Sequence, residues 1–407
     1  MNNGWKTKTL EEVCQFSNGL WKGEKPPFVN VGVIRNTNFT KEGTLDDSDI
    51  SYLDVEAKKL EKRRLQFGDI ILEKSGGGPK QPVGRVVLFD KEVGDFSFSN
   101  FTAALRVLNP QELDFRFVHK FLHWTYLSGV TEGMQSHSTG IRNLDGDAYK
   151  SIKISFPLFS EQQRIVGILD EAFEGIATAK ANTKKNLRNA HAIFERYRQS
   201  IFTQRGPGWV EKTLGDVAEF KNGLNFTRGS KGQTLPIVGV SDFQSNSIAP
   251  IDELQTVTVD GKLADDYAIR RDDILTVRSN GSKALVGRCM LVPEVREAIS
   301  YSGFIIRIRF NTREICPRFL LHFMKSSDTR DRLSRDGGGA NISNINQGKL
   351  SALPISLPSF SKQEALANDL DTIAVETQRL ETIYQSKLTV LDELKKSLLH
   401  QAFTGQL

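Results

Sequence analysis

The side chains able to do covalent or metal chemistry do not assemble into a site along this chain. Lys25-Pro26-Pro27-Phe28 has the outline of an Asn/Asp-Pro-Pro-aromatic loop, whose first side chain accepts a hydrogen bond from a target amine; lysine has no acceptor to offer. No Gly-rich cofactor loop between a strand and a helix accompanies it, so the segment reads as a turn. His119 and His123 stand four residues apart on a predicted helix, as two zinc ligands would, but Lys120 occupies the position where a zinc hydrolase needs glutamate. Gly76-Gly77-Gly78-Pro79-Lys80 lacks the spacing and the following Ser/Thr of a phosphate-binding P-loop. Glu56-Ala57-Lys58 matches a nuclease Glu-x-Lys only as many charged surface segments do. The cysteines (Cys14, Cys289, Cys316) form no CxxC pair, which argues against a thiolate zinc site and fits a reducing cytoplasm. The expectation is a chain with no catalytic residue, no metal and no cofactor of its own.

What does recur is order. Gly4-Trp5, Lys8-Thr9-Leu10, Val13, Phe16 and Asn18-Gly19-Leu20 reappear as Gly208-Trp209, Lys212-Thr213-Leu214, Val217, Phe220 and Asn222-Gly223-Leu224, an offset of 204 (209 − 5). Asp69-Ile70 matches Asp273-Ile274 at the same offset, and Val83-Gly84-Arg85 matches Val286-Gly287-Arg288 one residue closer. Ile141, Asn143, Pro157, Phe159 and Gln162 pair with Ile342, Asn344, Pro358, Phe360 and Gln363. A period this long is two copies of a domain with an appendage, not a solenoid repeat.

Within the copies, one polar loop recurs with matching flanks and a different middle. In the first it is Glu73-Lys74-Ser75-Gly76-Gly77-Gly78-Pro79-Lys80-Gln81; in the second, Val277-Arg278-Ser279-Asn280-Gly281-Ser282-Lys283. Glycines permit close backbone approach, and Lys, Arg, Ser, Asn and Gln bond phosphates and base edges, although a plain Gly-rich hairpin would look similar. A second polar stretch contains Arg142 and Asn143, with Asn341 and Asn344 in its counterpart. The candidate DNA-contacting residues are therefore Lys74, Ser75, Gly76, Gly77, Lys80, Gln81, Arg142, Asn143, Arg278, Ser279, Asn280, Lys283, Asn341 and Asn344. Arg307 and Arg309 alternate with Ile306, Ile308 and Phe310, which reads as two cations on one strand face; Arg330, Arg332 and Arg335 add a cluster on the same copy.

The elements that must position these residues follow from periodicity. Phe28–Ile34, Asp69–Leu72, Val83–Phe89, Ile237–Val240, Ile274–Val277 and Phe304–Phe310 are predicted strands, and Phe115–Thr125 and Arg318–Lys325 short helices. Pro-marked strands follow at Ile152–Pro157 and Leu353–Pro358. Then Ser160 and Ser361 open long helices as N-caps, the first stopped by Gly206-Pro207-Gly208. Apolar residues at steps of three and four (Ile165, Leu169, Phe173, Ile176 and onward; Leu366, Leu370, Ile373, Leu380 through Leu398) make one stripe per helix, the seam of a coiled coil. Each helix should be roughly 60 Å long at 1.5 Å per residue. If the second β-rich front brings its ends together, the helices run antiparallel and the C-terminus returns to the neighbourhood of Trp5.

At 407 residues, 39% hydrophobic and 25% charged, the chain has room for two ordinary cores and no run long enough to span a bilayer. A net charge of +5 is a weak signal, so any basic footprint must be local. The expected fold class is α+β: two similar β-rich domains (1–159 and 206–359) joined by two long helices (160–205 and 360–407) in an antiparallel, pseudo-twofold intramolecular coiled coil.

This duplicated order resembles the specificity subunit of a type I restriction–modification system over the whole chain. The carrying residues are Trp5, Leu10 and Val13 with Trp209, Leu214 and Val217; Gly68-Asp69-Ile70-Ile71 with Asp272-Asp273-Ile274-Leu275; and Phe156–Gln163 with Leu357–Glu364. Lys362 stands where the first copy has Glu161, a departure at the start of the second helix. The resemblance implies a cytoplasmic, non-catalytic DNA-specificity subunit in which each domain reads half of a bipartite, asymmetric site in double-stranded DNA. It implies helices that set the spacer and dock two modification (methyltransferase) subunits, which use S-adenosylmethionine to methylate adenine. Restriction subunits would bring ATP and Mg for translocation and cleavage, and no membrane is involved. From the residues alone, a coiled-coil protein-interaction scaffold, or an enzyme with an unfamiliar site, remains the rival reading.

Overall fold

The computed structural model describes residues 4–20, 23–78, 81–138, 141–204, 206–227, 229–244, 246–282, 284–335 and 344–407. Its contacts form two units, residues 1–183 with 386–407, and residues 184–385.

In the first unit a four-stranded antiparallel sheet has the order Cys14–Asn18, Thr102–Val107, Ile70–Glu73, Val86–Leu88. Its central run is apolar on consecutive residues because both faces are covered. Ile70 and Leu72 join Leu10, Leu105 and Phe117 in one core, while Ile71 and Val87 join Ile34, Phe89 and Phe98 in another. The helix Phe115–Leu127 covers the first face, and a small sheet of Ser51–Glu56, Phe28–Ile34 and Phe96–Phe98 lies over the second. Lys6–Thr9 pairs with Lys153–Phe156, so the domain begins and ends on the same two-stranded ribbon.

The second unit repeats this plan. Ala218–Asn222, Ile305–Phe310, Ile274–Val277 and Cys289–Leu291 form its four-stranded sheet, Thr256–Thr258, Thr234–Val238 and Ser300–Tyr301 its small one, and Val210–Thr213 pairs with Pro354–Leu357. Pro317–Lys325 is the counterpart of the covering helix. Duplicated sequence is thus duplicated topology.

Two buried arrangements are identical in both copies. Asp69 accepts from Arg106 Nε and Nη2 at 2.7 and 2.6 Å and from the Gln66 N–H at 2.8 Å. Asp273 does the same with Arg309 (2.8 and 2.7 Å) and the Arg270 N–H (2.8 Å). The expectation of two free cations on one strand face is therefore corrected. Arg309 is locked to a buried carboxylate, and Arg307, 3% exposed, donates to the Asp266 carbonyl. Alternation placed both on one face; the loop ending at Asp273 closes over that face. In the neighbouring cluster Arg332 pairs with Asp328 at 2.8 Å.

The second arrangement is a glutamine at the root of each long helix. Gln162 is fully buried: it donates to the Glu112 and Pro157 carbonyls, both at 2.9 Å, and accepts from the Asp114 N–H at 2.8 Å. Gln363 bonds the Glu314 (3.0 Å) and Pro358 (2.9 Å) carbonyls and the Cys316 N–H (3.0 Å) in the same way.

The long helices span Phe159–Thr203 and Phe360–Thr404, 45 residues each. Ser160 and Ser361 lie one residue inside rather than at the caps, because the first turn already closes on the preceding residues (Glu161 N–H to the Leu158 carbonyl, 2.9 Å). The helices pack antiparallel. Lys180 pairs with Asp392 at 2.7 Å in the first unit, and His191 with Glu381 in the second, one helix advancing as the other retreats. In the first unit Trp5, Phe117 and Phe403 meet edge to face in series, with centroids 6.4 and 5.2 Å apart, so the chain's end does return to Trp5. Trp209, Phe319 and Phe202 repeat the cluster in the second. The apolar stripe is buried at Ile165, Leu169, Ile176 and Leu370 but leaves Leu380 and Leu394 exposed at 40% and 45%, so the seam is narrower than its periodicity suggested.

Gln162→Leu should destabilise the first unit by about 2–4 kcal/mol in urea unfolding, because two carbonyls and one N–H lose their partner in a dry site. A loss under about 0.5 kcal/mol would show that the clamp contributes nothing.

Candidate nucleic-acid interface

The two polar segments singled out in the first copy meet in one sheet. Ser75–Gly77 pairs with Ile141–Leu144, which pairs with Gln135–Ser138. Asn143 lies opposite Ser75, whose hydroxyl donates to Asn143 Oδ1 at 2.5 Å, and Arg142 lies opposite Gly77. The second copy repeats the juxtaposition more sparsely: Ser279 bridges Asn344, and the Ile345 N–H donates to the Arg278 carbonyl at 2.8 Å. Lys80, Lys283 and Asn341 lie outside the described residues.

The glycines divide by role. A Cβ at Gly77 would sit 2.7 Å from the Gln81 carbonyl oxygen; Gly76 has φ +102°, and a Cβ there would meet the Asn36 amide at 2.9 Å. Both serve internal packing. Gly78, with nothing within 4 Å of such a Cβ, faces open space. Gln81 is exposed, and its amide lies 2.7 Å from the Arg85 guanidinium and, with oxygen presented, accepts from it.

The cations differ in freedom. Lys74 donates to Asn18 Oδ1 at 2.9 Å and lines a cavity of about 290 Å³ with Asn18, Tyr149 and Lys150, where partial burial lowers its pKa. In the second copy the matching residues are Arg278 and Asn222, and that bond is not made: Arg278 Nε and Asn222 Oδ1 are both buried without a partner among the described residues. Within the same limits Arg142 reaches Gln135 Oε1 alone, at 3.5 Å. Among the described residues neither Arg142 nor Arg278 has a carboxylate partner. Asn280 turns its side chain back onto the Ser282 N–H at 2.8 Å, ordering the loop.

Two further pairs lie beside these cations and were not singled out from the sequence. Asn18 and Asn222 sit beside the cations, within the repeated Asn-Gly-Leu that was visible in the sequence. Phe101 and Phe304 are 43% and 61% exposed, and their carbonyls accept from the Lys74 (3.0 Å) and Arg278 (2.9 Å) N–H groups. An exposed aromatic beside a cation in both copies is suited to contact base methyls or partly unstacked steps.

Among the described residues no three His, Cys, Asp or Glu side chains converge to hold an ion. His119 and His123 are buried and stacked at 6.3 Å; burial, aided by Lys120, pushes the His119 pKa down to about 4. Nor is any described helix long and apolar enough to cross a membrane.

Two β-rich units of one topology, each presenting a polar strand pair, with paired long helices, define the architecture of a DNA-specificity subunit. A model of the type I restriction modification DNA specificity domain matches residues 2–189 and again 207–388, and the chain belongs to that family. It is 25% identical to the StySPI type I restriction enzyme specificity subunit of Salmonella potsdam, over 99% of this chain and 89% of that one. Its fold matches the HsdS subunit of Thermoanaerobacter tengcongensis (TM-score 0.65, 18% identity, 100% of this chain and 98% of that one). A chain from a study of assembly and conformational transition of the type I R-M system is closer in shape (TM-score 0.79, 18% identity, 100% and 99% covered). The chain is accordingly a DNA specificity subunit of a type I restriction–modification system, and in that family the specificity subunit is not the catalyst.

Arg278→Ala and Lys74→Ala should each weaken duplex binding and lower the slope of log K against log salt by about 0.9 for each phosphate no longer neutralised. Phe304→Ala should weaken binding with the slope unchanged. If all three leave affinity intact at two salt concentrations, this face does not touch DNA. Below pH 6.5 the first unit should lose stability down to about pH 4, since the unfolded chain then takes up a proton that His119 refuses when folded. His119→Leu should weaken that dependence in pH-scanned unfolding and leave the share of His123, whose pKa burial also holds well below 6.5; a dependence left wholly intact would assign it to other groups.

Proposed function

We propose that each β-rich domain reads one half of a bipartite site in double-stranded DNA, and that the long helices set the gap between the halves. The observation that carries this is the recurrence of one backbone pairing, between strands at 75 and 143 and as a single bridge at 279 and 344, with unlike residues at its rim. Equal scaffolds with unequal rims favour two different half-sites and an asymmetric whole. The working boundaries are 1–159 and 206–359 for the readers and 160–205 and 360–407 for the spacer helices. The contacting residues are those named from sequence other than Gly76 and Gly77, which pack internally, with Asn18, Asn222, Phe101 and Phe304 added. A stiff spacer suits half-sites about one duplex turn apart, about 10 bp, so that both readers meet one face of the DNA.

The partners proposed are two modification subunits, carrying S-adenosylmethionine, and restriction subunits using ATP and Mg. Val375, Ile383, Val390 and Leu394 support docking on the second long helix: each is at least 45% exposed, and their spacing keeps them on one face. Nothing among the described residues of this chain is assigned to hold the cofactors.

Exchanging residues 1–159 for the front of another family member should change one half-site in a methylation-sequencing assay; a change in both would end the idea of independent readers. Four residues added after Lys184 should lengthen the gap and alter neither half. An unchanged gap would remove the ruler.

A further inference from the structure

The repeat makes the two copies controls for each other, and one buried ion pair has no acid in the second. In the first unit Arg85 donates to Glu73 through Nε (2.7 Å) and Nη2 (2.8 Å), and Glu73 is 1% exposed. At the 204 offset Glu73 corresponds to Val277, while the arginine persists as Arg288. Among the described residues Arg288 now reaches only carbonyls: Ala284 at 3.1 Å, Phe243 at 3.1 Å and Gln244 at 2.5 Å.

Arg288 also lines a cavity of about 220 Å³. Arg198, Arg288, Lys325 and Arg330 line it, with Ser247 and Asn246 as polar neighbours, and no described aspartate or glutamate does. Arg198 is 8% exposed and its Nε is buried without an acceptor among the described residues; the one acid near it, Glu195, takes Nη2. Lys325 Nζ donates to Ser247 Oγ at 2.6 Å, and burial together with Arg198 and Arg288 lowers its pKa. Arg330 in turn bears on Arg198. Arg198, Arg288 and Lys325 thus converge on one concave space, with Glu195 as the carboxylate on Arg198, and the dry Nε donor of Arg198 is unmatched among the described residues.

We infer that this cavity of the second unit is a phosphate-binding site. Guanidinium forks from Arg198 and Arg288 and the ammonium of Lys325 suit a tetrahedral oxyanion, which accepts several charge-assisted hydrogen bonds at once. The phosphate comes either from the DNA backbone or from a small phosphate ester, and the two sources are separable. The inference does not rest on the reading faces, since its first test contains no DNA.

The full-length chain is melted in inorganic phosphate and in chloride at one pH and ionic strength. Phosphate should raise the melting temperature by about 2–4 °C over chloride. Arg288→Gln/Lys325→Met should melt alike in both salts, and in chloride no lower than the wild type, because mutual repulsion has been removed. If the double variant fails to fold, Arg288→Gln alone should show a reduced phosphate increment. Duplex binding identifies the source: a salt slope lower by about 1 in the variant assigns the phosphate to DNA, with or without a thermal increment. An unchanged slope with a thermal increment abolished in the variant assigns it to a small ester. Equal melting in both salts with an unchanged slope overturns the site, and so does an increment that survives in the variants.

Discussion

The clamp made by Gln162 and Gln363 is the constraint on which the rest depends. A 45-residue helix is about 68 Å long, so a few degrees of play at its root would move its far end by several ångströms. A surface contact cannot prevent this. A buried side chain with both amide functions used, bonding the loop before the covering helix and the end of the last strand together, can. Glutamate in its place would turn an oxygen toward two carbonyls, and leucine would leave three backbone groups dry and unmatched. Glutamine is the residue whose donor and acceptor match that socket, and it occupies the socket in both copies.

Ion pairs separate the common scaffold from what each copy has made of it. The bidentate Asp69–Arg106 and Asp273–Arg309 pairs carry the same third hydrogen bond from a backbone N–H, which marks them as parts of the fold. Among the described residues the Glu73–Arg85 pair and the Lys74–Asn18 hydrogen bond belong to the first copy alone. Both exceptions flank the polar strand pair. At these two positions the first copy gives its cation a side-chain partner, while among the described residues Arg288 reaches only carbonyls and Arg278 Nε has no acceptor, so two domains of one topology differ in how their cations are held.

Much of this was legible in the sequence. Phe28–Ile34 and Ile274–Val277 have the predicted bounds, and the duplicated order led to the duplicated topology. The antiparallel helices followed from the need of a lone apolar stripe for a partner. What escaped were properties fixed by residues distant in sequence. Arg307 and Arg309 read as surface cations because alternation gives the face and not what covers it; Asp266 and Asp273 do the covering. Gly76 read as a ligand-facing glycine, while Asn36 crowds it from elsewhere in the chain, and Gly77 is closed in by Gln81 as its own loop turns back. Phe304 read as the first residue of a strand; it lies just ahead of one and is exposed, where the backbone turns outward to receive the Arg278 N–H.

The same division explains how reading can change without loss of the fold. The core-facing residues of the central strands, the Asp–Arg pairs and the glutamine clamps all lie away from the loop tips. Gly78 and Asn280 stand where an added or exchanged side chain meets solvent or its own loop rather than the core. Substitutions there change the surface the loop presents while costing little of the free energy that holds the sheet. Gly19 and Gly223, one strand away, have no such latitude: a Cβ at either would collide with the carbonyl of Ser99 or Ser302. Tolerance at the rim and rigidity just behind it are together what a specificity subunit needs, since new contacts serve only when the frame holding them keeps its shape.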